Sequence, residues 1–201
     1  AVLLESADGA ATSTRLHLIP YGVPIPDRSV APGRRDKVRL IYVGRLIEEQ
    51  KQISRVTKAL CRAVREVPGT EAVIYGNGPD RDKVERCLEA EGMGGAVRLG
   101  GQVDNAGIQD VMLEADILVL LSDYEGLPIA LLEGMACGLV PVCRRIRSGV
   151  EQLIEHGTSG FLVDDRADGF VDAIRTLAGD PGLRSRMSAA ARHTVAARYS
   201  D

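Results

Sequence analysis

Two carboxylates, Glu125 and Glu133, carry the most chemical information in this 201-residue chain; seven residues separate them within Ser122–Gly138. Glu133 sits among Ile129, Leu131, Leu132 and Met135. A carboxylate in so apolar a helix is costly to desolvate unless something satisfies its oxygens. Glu125 precedes that helix, where its side chain can reach across the mouth above a strand end. Between the two acids, Gly126 and Pro128 mark a loop-to-helix turn. Proline is tolerated there because it gives up only an N–H that has no helical partner. Free backbone N–H groups and the positive end of the helix dipole suit an anion such as phosphate. One acid beside an anion-binding turn, with a second behind it, points to a ligand bearing phosphate and hydroxyls. Upstream, Arg45 and Lys51 could neutralise a diphosphate, arginine through its planar fork and lysine as a point charge. With Glu48 and Glu49 beside them, both also read as ordinary solvated charges.

Other motifs say less. Gly76-Asn77-Gly78-Pro79 is a turn whose glycines permit close backbone approach, but it does not match the dinucleotide pattern GxGxxG. The stretch Gly100–Asp104 either offers exposed backbone near Val103 to a flat base or is a turn in which Asp104 or Asn105 caps the next helix. Asp80-Arg81-Asp82 has the DxD form of some metal-diphosphate sites, yet it opens a helix, where acids serve as caps. His17, His156 and His193 share no ligand spacing with one another or with the cysteines, so no metal site is assigned. No GxSxG elbow follows any strand, which removes serine-hydrolase chemistry.

The elements that must position these residues follow a regular rhythm. Apolar runs at Val38–Val43, Glu71–Tyr75, Val97–Leu99, Ile117–Leu121, Val140–Cys143 and Gly160–Val163 read as strands. Helical spacing is expected over Ser54–Arg65, Arg81–Glu91, Ile108–Ala115, the segment after Gly126, Gly149–Glu155, Ala167–Ala178 and Pro181–Ala197. This alternation predicts an α/β fold, a Rossmann-like doubly wound parallel sheet with helices on both faces. Ligands of such sheets bind outside the carboxyl ends of the strands. Residues 1–37 are less regular. Ala1–Leu4 and Arg15–Ile19 read as short strands, and the proline and glycine density after them marks a connector. The expected division is therefore residues 1–37 as remnant of an upstream domain plus linker, and residues 38–201 as a Rossmann-like domain that binds a ligand of the phosphate-and-hydroxyl class, a nucleotide sugar.

Composition narrows the classes. The core must be aliphatic, since Trp is absent and Phe occurs twice. A formal charge of −3 argues against a general nucleic-acid binder. No apolar run reaches the roughly 18 residues of a membrane span. Cys61, Cys87, Cys137 and Cys143 lack CxxC spacing and read as buried thiols of a cytosolic protein.

In order along the chain, several of these motifs resemble one family. They are Gly44-Arg45-Leu46 with Lys51, Gly76-Asn77-Gly78-Pro79, Glu125 with Glu133, and Glu133-Gly134-Met135-Ala136-Cys137-Gly138 with Pro141-Val142. Together they look like the C-terminal half of a retaining glycosyltransferase of GT-B fold, closest to the group-1 (GT4-like) family. Ile19-Pro20-Tyr21-Gly22-Val23 is similar to that family's IPNGV segment, and Gly157–Val163 to its G-x-x-G-hydrophobic-hydrophobic-Val stretch. The resemblance implies that Arg45 and Lys51 bind a donor diphosphate, with backbone of Gly126 and Leu127. It implies that Glu133 accepts hydrogen bonds from ribose hydroxyls and that Glu125 is the catalytic-site acid against the donor sugar. Backbone near Val103, Ile129 and Ala130 would contact base or sugar. No metal or cofactor is implied, the substrate being a nucleoside-diphosphate sugar. The partners implied are an N-terminal GT-B domain and a sugar, lipid or small-molecule acceptor. The location implied is cytosolic, with the membrane surface reached through that other domain. Departures are Gln52 where glycine is common after the lysine, Leu139 for a more polar residue, Arg147-Ser148-Gly149 where a Gly-Gly pair is frequent, and the unexpected Arg144-Arg145. The final helix reads as cut short near Tyr199. Competing readings are a nucleotide-sugar-binding module without transfer activity, and another GT-B enzyme such as a sugar-nucleotide epimerase or a glycan phosphorylase.

Overall fold

The computed structural model of the chain describes residues 22–30, 36–93 and 95–200. The elements are β1 (Val38–Val43), α1 (Glu48–Lys51), α2 (Ile53–Glu66), β2 (Thr70–Tyr75), α3 (Arg81–Glu91), β3 (Val97–Gly101) and α4 (Ile108–Leu113). They continue with β4 (Ile117–Leu120), α5 (Ile129–Cys137), β5 (Val140–Arg144), α6 (Gly149–Leu153), β6 (Phe161–Val163), α7 (Asp168–Gly179) and α8 (Pro181–Arg198). The strands form one sheet in the order β3-β2-β1-β4-β5-β6, and every pairing is parallel. The chain runs outward from β1 to β3, then returns to lay β4 against the other side of β1. That reversal creates a switch point between the carboxyl ends of β1 and β4, the place where open parallel sheets bind ligands.

Both faces of the sheet are covered, which explains why the strands are apolar throughout rather than alternating. Leu40, Tyr42, Ile117 and Val119 pack on one side with Val56 and Leu60 of α2 and Phe170 and Ile174 of α7. Ile41, Val43, Leu118 and Leu120 pack on the other with Leu132 and Met135 of α5 and Val195 of α8. The core is aliphatic as composition requires, with Tyr42 and Phe170 its largest buried aromatics. The four cysteines are buried and free, and burial pushes the thiols of Cys61 and Cys137 up to about 12.

Most expected elements appear within two residues of their expected ends, and α1 is an addition that periodicity over so few residues does not reveal. The expected strands at Ala1–Leu4 and Arg15–Ile19, and Ile19–Tyr21 of the IPNGV-like segment, lie outside the described residues. Residues 22–30 form no helix or strand of their own, yet Val23 and Val30 are buried in the core shared with α5 and α8. Prolines leave this segment short of donors, and Arg192 of α8 compensates by donating to the carbonyls of Pro26 (2.5 Å) and Ala136 (2.6 Å). No helix among the described residues is long and apolar enough to cross a membrane.

Candidate functional site

The loops after β1 and β2 are fastened to each other by backbone. Gly44 N–H donates to Tyr75 O, Leu46 N–H to Asn77 O, and Asp80 N–H to Leu46 O, at 2.9–3.1 Å. Glycine is required for this approach. A Cβ on Gly76 would stand 1.9 Å from Gly44 O, and its φ of +143° lies outside the range of ordinary side chains. The glycines of this turn therefore admit a neighbouring loop, not a ligand. Beneath the fastening, the buried Tyr42 hydroxyl donates to Arg45 O at 3.0 Å. Burial, and then nearby Glu125, raises that phenol's pKa, so the hydroxyl stays a donor. Arg45 is left exposed above the sheet, and its guanidinium has no acidic partner among the described residues.

Lys51 is positioned by a corner built from two acids. Asp80 accepts from the first N–H of α1, at Glu48, at 2.7 Å. Glu48 in turn accepts from Ser54 N–H (3.1 Å) and Ser54 Oγ (2.8 Å) at the start of α2. The DxD acid Asp80 thus caps α1 rather than the helix it precedes, and it also pairs with Lys83. The corner turns at Gln52, whose φ of 51° and ψ of 45° are left-handed, the conformation that favours glycine. At the end of α1, Lys51 Nζ lies 2.5 Å from Glu125 Oε1, with the side chains 14% and 5% exposed. Gln50 completes the link, donating to Glu125 Oε2 (3.3 Å) and Tyr124 O (3.1 Å). Asp123 N–H donates back to Gln50 O. The β1 and β4 loops are thereby tied across the switch point.

The start of α5 is open. Its N-cap is Pro128, no side chain caps it, and no acid occupies its first turn. Among the described residues the N–H groups of Gly126, Leu127, Ile129 and Ala130 meet no acceptor. A helix start in that state is an anion site by construction. Four residues into α5, Glu133 is half-buried with no hydrogen bond or ion pair among the described residues. Desolvation holds its carboxyl above the usual range. Across β1, a cavity of about 240 Å³ is lined by Gly44, Arg45, Tyr75, Asn77, Gln102, Val103 and Ile108. Arg45 and Val103 therefore share one pocket, while Lys51 and Glu125 share an ion pair beside it.

The stretch of chain holding all these groups, residues 27–194, matches the family model described as glycosyl transferases group 1. The chain belongs to the group-1 glycosyltransferases. It is 34% identical over 169 residues to an alpha-D-kanosaminyltransferase of Streptomyces kanamyceticus, a match that takes in 84% of this chain and 43% of that protein. It is 33% identical over 143 residues to the lipopolysaccharide core biosynthesis glycosyltransferase LpsD of Rhizobium meliloti, covering 71% of this chain and 41% of that one. The chain thus spans less than half the length of these curated relatives. Among solved structures, the C-terminal domain of a group-1 protein, LpcC of Francisella tularensis, superposes with a TM-score of 0.76 at 22% identity. That match covers 89% of this chain and 99% of the LpcC domain. A TarM variant from S. aureus, crystallised with fondaparinux, α-GlcNAc-glycerol and UDP, superposes with a TM-score of 0.80 at 22% identity, over 89% of this chain and 36% of TarM. At that identity the structural likeness shows the shared Rossmann-like fold.

Within this group-1 frame, Arg45, Val103, Glu125, Gly126 and Leu127 lie in the loops after β1, β3 and β4, Lys51 ends α1, Ile129 and Ala130 open α5, and Glu133 lies inside α5. Others there gain their roles only from the fold. Gln50 and Tyr124 frame Glu125, and Tyr124 and Ile129 are the two large hydrophobics exposed among the described residues. Asn77 donates to Gln102 across the β1–β3 pocket at 3.1 Å. Asp123 gathers Arg144 and Arg166, each at 2.6 Å. Asp123 and Arg166 carry no signal in sequence beyond position just after a strand, whereas Arg144 stands out only as part of an unexpected double arginine. Asp104 holds the turn before α4, accepting from Gly107 N–H at 2.9 Å.

Proposed function

We propose that this chain is the donor-binding half of a retaining glycosyltransferase, moving a sugar from a nucleoside-diphosphate sugar to an acceptor hydroxyl. The observation that carries this reading is a set of unsatisfied groups arranged around one switch point. Among the described residues there are four N–H groups at α5 that meet no acceptor, an Arg45 guanidinium without an acidic partner, and a half-buried Glu133 carboxylate without a partner. The helix-start N–H groups and Arg45 are donors open to a ligand, Glu133 is a half-buried acceptor, and a nucleoside diphosphate supplies each of these with a partner. The diphosphate accepts from Arg45, Lys51 and the backbone of Gly126 and Leu127, and the ribose hydroxyls donate to Glu133. The base lies in the pocket beside Val103, and Ile129 and Ala130 offer N–H groups to phosphate and sugar. The UDP held by TarM is a ligand of this class.

Lys51 keeps two of its three ammonium donors after pairing with Glu125, so it can serve acid and diphosphate together. The same pairing fixes the Glu125 carboxylate, whose oxygens accept from sugar hydroxyls and orient the anomeric carbon. As the bond to diphosphate breaks, the cations and helix start stabilise the charge that develops, and no divalent metal is needed. Transfer also requires an acceptor held in line with that carbon, which we assign to a second GT-B domain.

Calorimetric titration with UDP-, GDP- and ADP-sugars, in EDTA and in magnesium, tests the reading. One nucleotide series is expected to bind equally in both; loss of binding in EDTA would return Asp80 and Asp82 to consideration. Joined to an N-terminal domain, the chain is expected to transfer sugar with retained anomeric configuration, and inverted product would contradict the assignment.

A further inference from the structure

Arg144, absent from the group-1 motifs, ends β5 at the same edge of the sheet as the donor residues. Asp123 follows β4 and Arg166 follows β6, so three neighbouring strand ends converge here. Asp123 Oδ1 accepts from Arg144 Nη1 and from Arg166 Nη2, both at 2.6 Å, and Arg166 Nε donates to Leu121 O at 2.8 Å. A guanidinium has five N–H donors. Arg144 uses one of them and Arg166 two.

The charge is unbalanced as well. One carboxylate meets two guanidiniums, and their hydrogen bonds and charge, Arg166 first, hold Asp123 below the usual carboxylate range. A third cation, Arg55 in the first turn of α2, also acts on Asp123 and has no acidic partner among the described residues. Neighbouring acids are committed elsewhere. Glu125 pairs with Lys51, Asp164 pairs with Arg145, and Asp165 accepts from the N–H groups of Ala167 and Gly169. The side chains of Arg166 and Arg144 are 13% and 28% exposed, sheltered yet open to solvent. Stitching three strand ends together requires hydrogen bonds but no surplus positive charge. Guanidiniums fixed on one side by a carboxylate present their remaining donors with little ordering cost.

We propose that Arg144 and Arg166, held by Asp123, form a second anion site that takes a carboxylate or phosphate ester on one of the two sugars meeting at this cleft. The link to the two sugars rests on the donor-half reading. Asp123 is two residues from Glu125, at most about 7 Å along the backbone, so the anion would sit one sugar ring from the donor-facing acid. A uronate would bring it on the donor and a sugar phosphate on the acceptor.

Two calorimetric arms separate these sources: UDP-glucuronate against UDP-glucose, and glucose 6-phosphate against glucose on the UDP-loaded chain. In one arm the anionic ligand is expected to bind about tenfold tighter, as hydrogen bonds to charged groups imply, and Arg144→Met or Arg166→Met should abolish the preference. Asp123→Asn keeps an oxygen that accepts from both arginines while removing the competing charge, and is expected to strengthen the preference, which a purely structural stitch does not predict. Equal binding of charged and neutral ligands in both arms overturns the proposal, as does a preference that survives both arginine substitutions. Failure to bind UDP at all would remove the donor-half reading alone. The second site is then decided on the free chain by whether glucose 6-phosphate, and not glucose, shifts the Nε resonances of Arg144 and Arg166.

Discussion

The loops after β1 and β4 face each other across the switch point and are held by different forces. The β1 loop is fastened to the β2 loop by backbone hydrogen bonds, from beneath by Tyr42, and at its far end by Asp80 and Glu48 as caps. The β4 loop has two backbone hydrogen bonds, Asp123 N–H to Gln50 O and Gly149 N–H to Gly126 O, but its side chains are held by ion pairs, Lys51 with Glu125 and two arginines with Asp123. Backbone fastening depends on the absence of a side chain at one or two positions. Ion pairing depends on both charges being present, because a buried charge without its partner is worse than no pair. The first loop should be brittle to added volume, and the second to removal of a single charge.

The sharpest way to break this contrast is Gly76→Ala. The new Cβ would collide with Gly44 O in a backbone conformation that alanine avoids. The expected cost is about 4 kcal/mol, read as the shift in the urea midpoint; an unchanged midpoint would mean that the two loops separate freely. Next is Glu125→Ala, which leaves Lys51 sheltered without a partner. A loss of about 3 kcal/mol is expected, with most of it recovered in Glu125→Leu combined with Lys51→Met. If the double variant were as unstable as the single, packing rather than charge would hold the β4 loop.

Glu133 belongs to neither kind of fastening, and pH probes it. Its raised pKa means that the folded chain keeps a proton at pH values where the unfolded chain has released it. Its contribution therefore favours folding at low pH and diminishes as pH rises through the folded pKa. Ribose hydroxyls need the ionised form as acceptor, so nucleoside affinity should move the opposite way and rise with pH over that window. Glu133→Gln should flatten the profile, and an unaltered slope would separate Glu133 from the ribose. The smallest effect is expected from Gln52→Gly. Relieving the left-handed glutamine at the α1–α2 corner should add about 1 kcal/mol, seen as a higher unfolding midpoint. A loss instead would show that the Gln52 side chain supports Lys51.

The contrast also explains what could be read from sequence. The parallel sheet and its layers were accessible because a sheet covered on both faces needs continuous apolar strands, and runs such as Ile117–Leu120 show it; the order of the strands was not. Gly76 and Gly78 were recognisable as a site of close approach, although what approaches is the neighbouring loop. Glu133 drew attention because a carboxylate contradicts its apolar helix. The α1 corner was hidden, since four residues have no period, and an acid capping a helix from another loop, as Asp80 does, leaves no local pattern. Arg144-Arg145 stood out as a departure, but the grouping of Arg144 with Asp123 and Arg166 was equally hidden. They lie 21 and 22 residues apart in sequence, and only the parallel register of β4, β5 and β6 joins them.

The central claim is that one edge of this sheet divides a nucleoside diphosphate between a cationic end and a carboxylate. The direct measurement is calorimetric affinity for UDP and for uridine in the wild-type chain, Arg45→Ala and Glu133→Ala. Arg45→Ala should weaken UDP about tenfold or more and leave uridine nearly unchanged, whereas Glu133→Ala should weaken both by the same factor, as loss of a hydrogen bond to a charged group implies. If Arg45→Ala weakened both ligands equally, or Glu133→Ala affected neither while the fold stayed intact, the division of the ligand proposed for this site would be wrong.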